Sequence, residues 1–227
     1  MTKEYSDTIP VQYETGNVSF MGINIHVDPR VFIPRPETEL LIRTADVFCQ
    51  ERSLKDPFVL EIGTGSGIIP VGLKRLIPLC RVVSVDISSE ALEVARLNIK
   101  KFALMGDIEL LESDMFEAVP FGYREKFDVV LSNPPYVSEK DYEKVDDWVR
   151  SEPRQALVAG KEGMDYLDIL AQKSAAFLKP GGFLAVEIGY DQADKVKNLF
   201  DKNGFENIKG FFDFNNYERV ITGWKHG

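Results

Sequence analysis

From Phe58 onward the chain alternates short apolar runs with stretches of helical period, and this alternation constrains the fold more than any other feature. Residues 58–62, 81–85, 108–111, 127–131 and 183–188 are short, apolar and rich in β-branched side chains, which predicts buried strands. Residues 67–77, 88–103, 164–178 and 192–202 have helical patterning, with Ser88 as N-cap and Glu90 in the first turn of the second of these helices. Strands alternating with helices predict a parallel sheet covered on both faces. Residues 208–214 and 219–224, separated by Asn215-Asn216, read as a closing antiparallel hairpin. The expected fold class is α/β: a doubly wound, mostly parallel sheet of seven strands with helices on both faces and an antiparallel C-terminal hairpin.

The chain before Phe58 is different. Residues 1–16 are polar and show no clear period. Residues 18–20 and 23–27 predict two short strands joined at Met21-Gly22, a small N-terminal β-hairpin. Pro36 suits the first turn of a helix, with Glu37 and Glu39 near the positive end of its dipole. Leu40, Leu41, Thr44, Val47 and Phe48 would form one face of that helix. The expected division is an N-terminal extension over 1–35 and a main domain over 36–227. Residues 136–163 are the longest irregular stretch, charged and containing Trp148, and a loop of that length predicts either a functional segment or a lid.

Composition narrows the function classes. The 227 residues are 44% hydrophobic and 28% charged, which suits one globular domain with a substantial core. No run approaches the roughly 18 apolar residues of a membrane span. Met1-Thr2-Lys3-Glu4-Tyr5 lacks the apolar core of a signal peptide. Cys49 and Cys80 predict reduced, buried thiols of a cytoplasmic protein, and His26 and His226 are too few and too distant for a histidine-based metal site. The formal net charge of −9 argues against broad contact with phosphate backbones, although a local basic patch stays open.

Chemistry-bearing residues gather where strands are expected to end. Glu61 is followed by Gly63-Thr64-Gly65-Ser66-Gly67, a loop that lets a ligand approach the backbone. Asp86 ends the second strand, where it either accepts both hydroxyls of a ribose or caps the next helix. Asp114 ends the third, positioned to accept from an adenine amino group with Met115 and Phe116 against the ring, or else to sit solvated in a loop. The glycine spacing departs from the nicotinamide fingerprint, and Glu61 suits a cationic ligand better than a pyrophosphate. The fourth strand ends in Asn133-Pro134-Pro135-Tyr136. The prolines stiffen the chain there. An Asn side-chain oxygen and the Pro134 carbonyl suit the two N–H bonds of a planar amino group. Tyr136 could cover a flat amide or base while its hydroxyl reaches water.

Together, Glu61 to Gly67, Asp86 and Asp114 resemble the class I S-adenosylmethionine-dependent methyltransferases, which have a Rossmann-like sheet. Asn133-Pro134-Pro135-Tyr136 resembles the tetrapeptide of enzymes that methylate planar NH2 nitrogens. Phe32-Ile33-Pro34-Arg35-Pro36-Glu37-Thr38-Glu39, Glu152-Pro153-Arg154-Gln155-Ala156-Leu157, and Leu178 to Gly182 with Glu187-Ile188-Gly189 are similar to the bacterial release factor glutamine methyltransferases. The resemblance runs from Val11 to the end. It departs at the N-terminus, where most of that family carry a helical domain that grips the release factor. It implies a cytoplasmic, monomeric enzyme using S-adenosylmethionine, without nucleic-acid or membrane partners. The implied target is a glutamine amide in the Gly-Gly-Gln loop of a release factor. Asn133, Pro134, Pro135 and Tyr136 would do the chemistry. Arg35 and Glu37 would either line the entrance or pair at the helix start. Two other readings stay open: an adenine amino methyltransferase acting on nucleic acid, and a noncatalytic cofactor- or partner-binding domain.

Overall fold

The computed structural model describes residues 9–227, so the expectations for residues 1–8 lie outside the described residues. A five-residue helix, α1 (Val11–Thr15), precedes the hairpin of β1 (Asn17–Phe20) and β2 (Ile23–His26). It falls in the stretch where no period is legible, because one helical turn is too short to establish one. Then come α2 (Thr38–Glu51), β3 (Phe58–Ile62), α3 (Ile68–Leu76), β4 (Arg81–Asp86), α4 (Ser89–Lys101), β5 (Ile108–Glu112) and β6 (Phe127–Ser132). After a long connection follow α7 (Asp165–Lys173), β7 (Leu178–Glu187), α8 (Ala193–Lys202), β8 (Phe205–Phe212) and β9 (Glu218–Lys225). The connection itself holds α5 (Glu139–Tyr142), α6 (Asp147–Arg150) and a 3₁₀ turn at Arg154–Ala156.

The main sheet has seven strands in the order β5-β4-β3-β6-β7-β9-β8. The ladders from β5 to β7 are parallel, and β9 runs antiparallel to both β7 and β8. The expected fold class is therefore the one observed. The sequence order reverses at β3, where β4 lies on one side and β6 on the other. The crevice at such a point, beyond the carboxyl ends of the strands, is where open α/β sheets bind ligands.

Two apolar layers sandwich the sheet. One joins Leu41, Ile42 and Phe48 of α2 to Ile69 and Leu73 of α3 and Val94 and Ile99 of α4. The other packs Leu167 and Leu170 of α7 and Val196 and Phe200 of α8 on the opposite face. The N-terminal hairpin shares the first layer through Phe20, Ile23 and Ile25. Asn98 of α4 pins it from below. Its Oδ1 accepts from His26 N, and its Nδ2 donates to the carbonyls of His26 and Ser66, each at 2.8 Å.

Four local expectations change. Helix α2 starts at Thr38, so Pro36 lies in the turn before it, where the Arg35 and Pro36 carbonyls accept from Thr38 N and Glu39 N. Its buried face is Leu41, Ile42, Thr44, Ala45, Phe48 and Cys49, and Val47 points to solvent. Helix α7 stops at Lys173, short of the expected 178, because Ser174–Ala176 tightens into a 3₁₀ turn. The strand expected over 183–188 starts earlier, at Leu178, and takes in Pro180-Gly181-Gly182 as an irregular part of β7, with a register shift between Phe127 and Val129 on its partner strand. Among the described residues, no helix is long and apolar enough to cross a membrane.

Candidate active site

The carboxyl ends of β3, β4, β5 and β6 open into one cavity of about 270 Å³. Its floor is the turn after β3. Gly63, Gly65 and Gly67 have φ of 83°, 50° and 79°, values that side-chain-bearing residues seldom adopt. A Cβ at Gly65 would meet nothing within 4 Å, so the bare backbone faces open space. Gly67 serves another end. A Cβ there would press to 3.2 Å from Ala95, so this glycine lets α3 pack against α4 and does not reach the cavity wall.

Asp86 ties the neighbouring loops together. Its carboxylate accepts from Gly65 N at 2.8 Å and from Ser88 N at 2.9 Å, and burial raises its pKa. Ser88, not Asp86, caps α4, by accepting from Ala91 N. Asp86, Asp114 and Met115 line the cavity with Gly63, Thr64, Gly65 and Ser66. Glu61 lies beneath the loop. Ser84 Oγ donates to its carboxylate and is 2.6 Å from Thr64 Oγ1, while burial pushes its pKa up to about 8. Phe116, expected against a ligand ring, turns into the core and stacks on Phe177 at 5.1 Å. Its neighbour Met115 takes φ 49°, and that reversal sends the two side chains different ways.

Across the cavity stands the loop after β6. Asn133, Pro134, Pro135 and Tyr136 all line it. Asn133 Nδ2 donates to Thr38 Oγ1 at 3.1 Å, so the donor end of the amide is engaged and Oδ1 is the end left as an acceptor. The Tyr136 hydroxyl does not reach for water as expected. It accepts from Arg219 Nη2 at 3.3 Å, and burial beside Glu187 pushes its pKa up to about 12. Gln192 Nε2 donates to the carbonyls of Tyr136 and Gly163, both at 3.0 Å. A Cβ on Gly163 would collide with the Tyr136 carbonyl oxygen, so the chain can pass here only as glycine.

Residues 137–163 form the remaining wall through Val149, Pro153, Gln155 and Leu157. Arg35 does not pair with Glu37. Its guanidinium pairs with Glu152, whose side chain is fully buried, and lies over the rings of Phe32 at 4.7 Å and Trp148 at 5.0 Å. Glu152 also accepts from Ile33 N at 3.4 Å. Arg35 lines the cavity and Glu37 does not. Among the lining residues that the sequence analysis does not single out are Ile87 and Tyr166. Ile87 had a legible signal: an apolar residue between a strand-ending acid and an N-cap, 57% exposed, with no core to join. Tyr166 sits in the first turn of α7, where nothing local marks it.

A family model described as "Methyltransferase small domain" matches residues 36–162. The release factor glutamine methyltransferase of Clostridium acetobutylicum is 35% identical over 233 residues, covering 99% of this chain and 81% of its own. That of Koribacter versatilis is 40% identical over 217 residues, covering 95% and 75%. Among solved structures, the protein-(glutamine-N5) methyltransferase (release factor-specific) of Alicyclobacillus acidocaldarius superposes with a TM-score of 0.52 at 26% identity. That match covers 89% of this chain and 99% of the other.

Proposed function

We propose, from the premise that the chain belongs to the family of release factor glutamine methyltransferases, that it methylates the side-chain amide nitrogen of a glutamine in the Gly-Gly-Gln loop of a release factor. The methyl donor is S-adenosylmethionine. The cavity fits that donor. Bare glycine backbone at Gly65 leaves room for its amino-acid part. Asp86 keeps lone pairs for the ribose hydroxyls beyond its two backbone bonds. Ile87 and Met115 offer apolar surface to a ring, and Asp114 an acceptor to its amino group. Glu61 acts from below, holding the loop through Ser84 and Thr64.

When bound, the donor would supply an electrophilic methyl on a sulfonium: the C–S bond would break to a neutral thioether as the amide nitrogen bonds to the carbon, and the nitrogen would then lose a proton to water. The chain's part is positioning. An amide nitrogen is a poor nucleophile because its lone pair is shared with the carbonyl. Asn133 Oδ1 and the Pro134 carbonyl accept its two N–H bonds and aim the nitrogen at the methyl. Tyr136 packs on the amide plane and Pro135 stiffens the loop. Orientation of this kind can lower a barrier by roughly 7–11 kcal/mol. Residues 36–227 form the catalytic domain, and residues 1–35 precede it as an extension whose hairpin over 17–26 packs on it. The enzyme works as a monomer in the cytoplasm, where its substrate is made, and Arg35 lines the approach to the site.

The observation that carries the reading is the Asn133 amide, its nitrogen bonded to Thr38 and its oxygen left over on a cavity shared with Gly65 and Asp86. Mass spectrometry of a release factor incubated with this protein and S-adenosylmethionine tests it. One added methyl on the glutamine of the Gly-Gly-Gln loop is expected. Methyl transfer to DNA or RNA adenine in a parallel incubation, with none to the release factor, would overturn it.

A further inference from the structure

Behind the loop after β6 lies a pair of ionisable groups to which the proposed chemistry gives no role. Glu187 ends β7 and is fully buried. Neither of its carboxylate oxygens has a hydrogen bond of normal geometry, although Thr38 and Asn133 stand beside it. Arg219 on β9 acts on it by charge, donates through Nη2 to the Tyr136 hydroxyl, and leaves its own buried Nε without a partner. The Arg219 guanidinium also lies 5.7 Å from the centre of the Tyr136 ring. A buried acid and a half-satisfied guanidinium are costly, and apolar residues would fill the same space more stably. They stand behind the two side chains, Asn133 and Tyr136, that meet the substrate in the proposed function, and the inference rests on that reading.

We infer that Glu187 and Arg219 are positioning residues: ionised Glu187 fixes the Asn133 amide with Nδ2 turned inward, and Arg219 fixes the plane of Tyr136. The physics of the first half is directional. A carboxylate beside an amide NH2 favours the resonance form with more negative charge on Oδ1, which strengthens that oxygen as an acceptor for the substrate N–H. A protonated Glu187 is a donor. It would draw Oδ1 toward itself and turn Nδ2 to the cavity, where the substrate's own N–H bonds would meet a donor. Only the ionised state therefore presents the acceptor.

The groups around Glu187 set when that happens. Thr38 from the start of α2 and Asn133 from the loop favour the carboxylate, as does Arg219 from β9. Burial and the charge of Glu37 oppose it more strongly and hold its pKa up at about 7. The acceptor thus switches on as pH rises through that value.

The test measures kcat against pH for the intact protein with saturating release factor and S-adenosylmethionine, together with cofactor affinity by calorimetry. Wild-type kcat is expected to rise through a step near 7. Glu187→Gln, of the same shape, is expected to lower kcat by about 10–100-fold, the scale on which partners of ligating groups act. It should erase the step and leave cofactor affinity unchanged. A flat wild-type profile overturns the inference, as does a variant with wild-type kcat, or one that loses cofactor affinity in step with turnover. Should the variant not fold, the wild-type profile decides alone. Absence of any wild-type turnover would overturn the proposed function and this inference with it, whereas turnover with a flat profile sinks the inference only.

Discussion

At Asn133 one end of the side chain is spent and the other is free, and the two ends make separable predictions. Asn133→Ala removes the Oδ1 acceptor while leaving the glycine loop, Asp86 and Asp114 in place. Turnover is expected to fall by at least about 100-fold, the usual loss when a group aimed at the reacting centre is removed. Cofactor affinity measured by calorimetry should stay within a factor of about two. Equal loss of both would make Asn133 a cofactor residue only. Asp86→Ala has the opposite signature. It deletes a charged acceptor, a change of about 1.5–3 kcal/mol, so cofactor affinity should weaken by roughly tenfold or more. Unchanged affinity would rule out the ribose role. Both residues were legible in sequence because each follows a strand whose end could be read locally. Phe116 and Tyr136 were half legible. Both fall in loops at strand ends that could be read locally, but the directions of the Phe116 ring and the Tyr136 hydroxyl depend on Phe177 and Arg219, which only the fold brings near.

The connection over 137–163 is the element that shapes the cavity, and it is held down at Glu152. That acid is buried with Arg35 as its one paired cation among the described residues, across 117 residues of sequence. Arg35→Ala would strand a buried carboxylate and take away the group lying over Phe32 and Trp148. Breaking a buried pair from one side costs about 3–5 kcal/mol. Urea denaturation of the variant should show a loss on that scale, with slower turnover because the Val149–Leu157 wall loses its tether. A loss below about 1 kcal/mol would mean the pair acts as a surface ion pair. The length of this stretch alone predicts a functional segment or a lid and does not say which. Its short helices were not legible, since four-residue elements carry no period. Nor was the Arg35–Glu152 pair, which reading within one segment would assign to Glu37. Outside this stretch the order of helices and strands from Phe58 was legible, because caps, periods and breakers are all local.

At the scale of the whole molecule, Glu61 and Glu187, two of the fully buried acids, set a pH dependence of stability. Glu61 is held up at about 8 and Glu187 at about 7, against 4.5 for a free glutamate. The folded chain therefore binds these protons more tightly than the unfolded chain does. Between 4.5 and those values the native state holds the extra protons, so stability declines as pH rises through the window. Thermal melts from about pH 5 to about pH 8 should show a falling midpoint, and Glu61→Gln should flatten the fall. A midpoint that does not fall over the same interval would show that the folded chain does not hold the two carboxyls protonated. Strand order belongs to this scale too. The sequence implied seven strands and a closing hairpin, but not that the later hairpin strand would enter the sheet between β7 and β8. Pairing across such separations depends on which edges are free once the rest has assembled.

That insertion ties competence to completeness. As a growing chain leaves its ribosome, β7 shows a raw edge and β8 has no neighbour until the segment carrying Arg219 emerges and slots between them. Until then the Tyr136 hydroxyl lacks its anchor, so an enzyme that acts on the machinery of termination cannot be finished before its own message has been read through that strand.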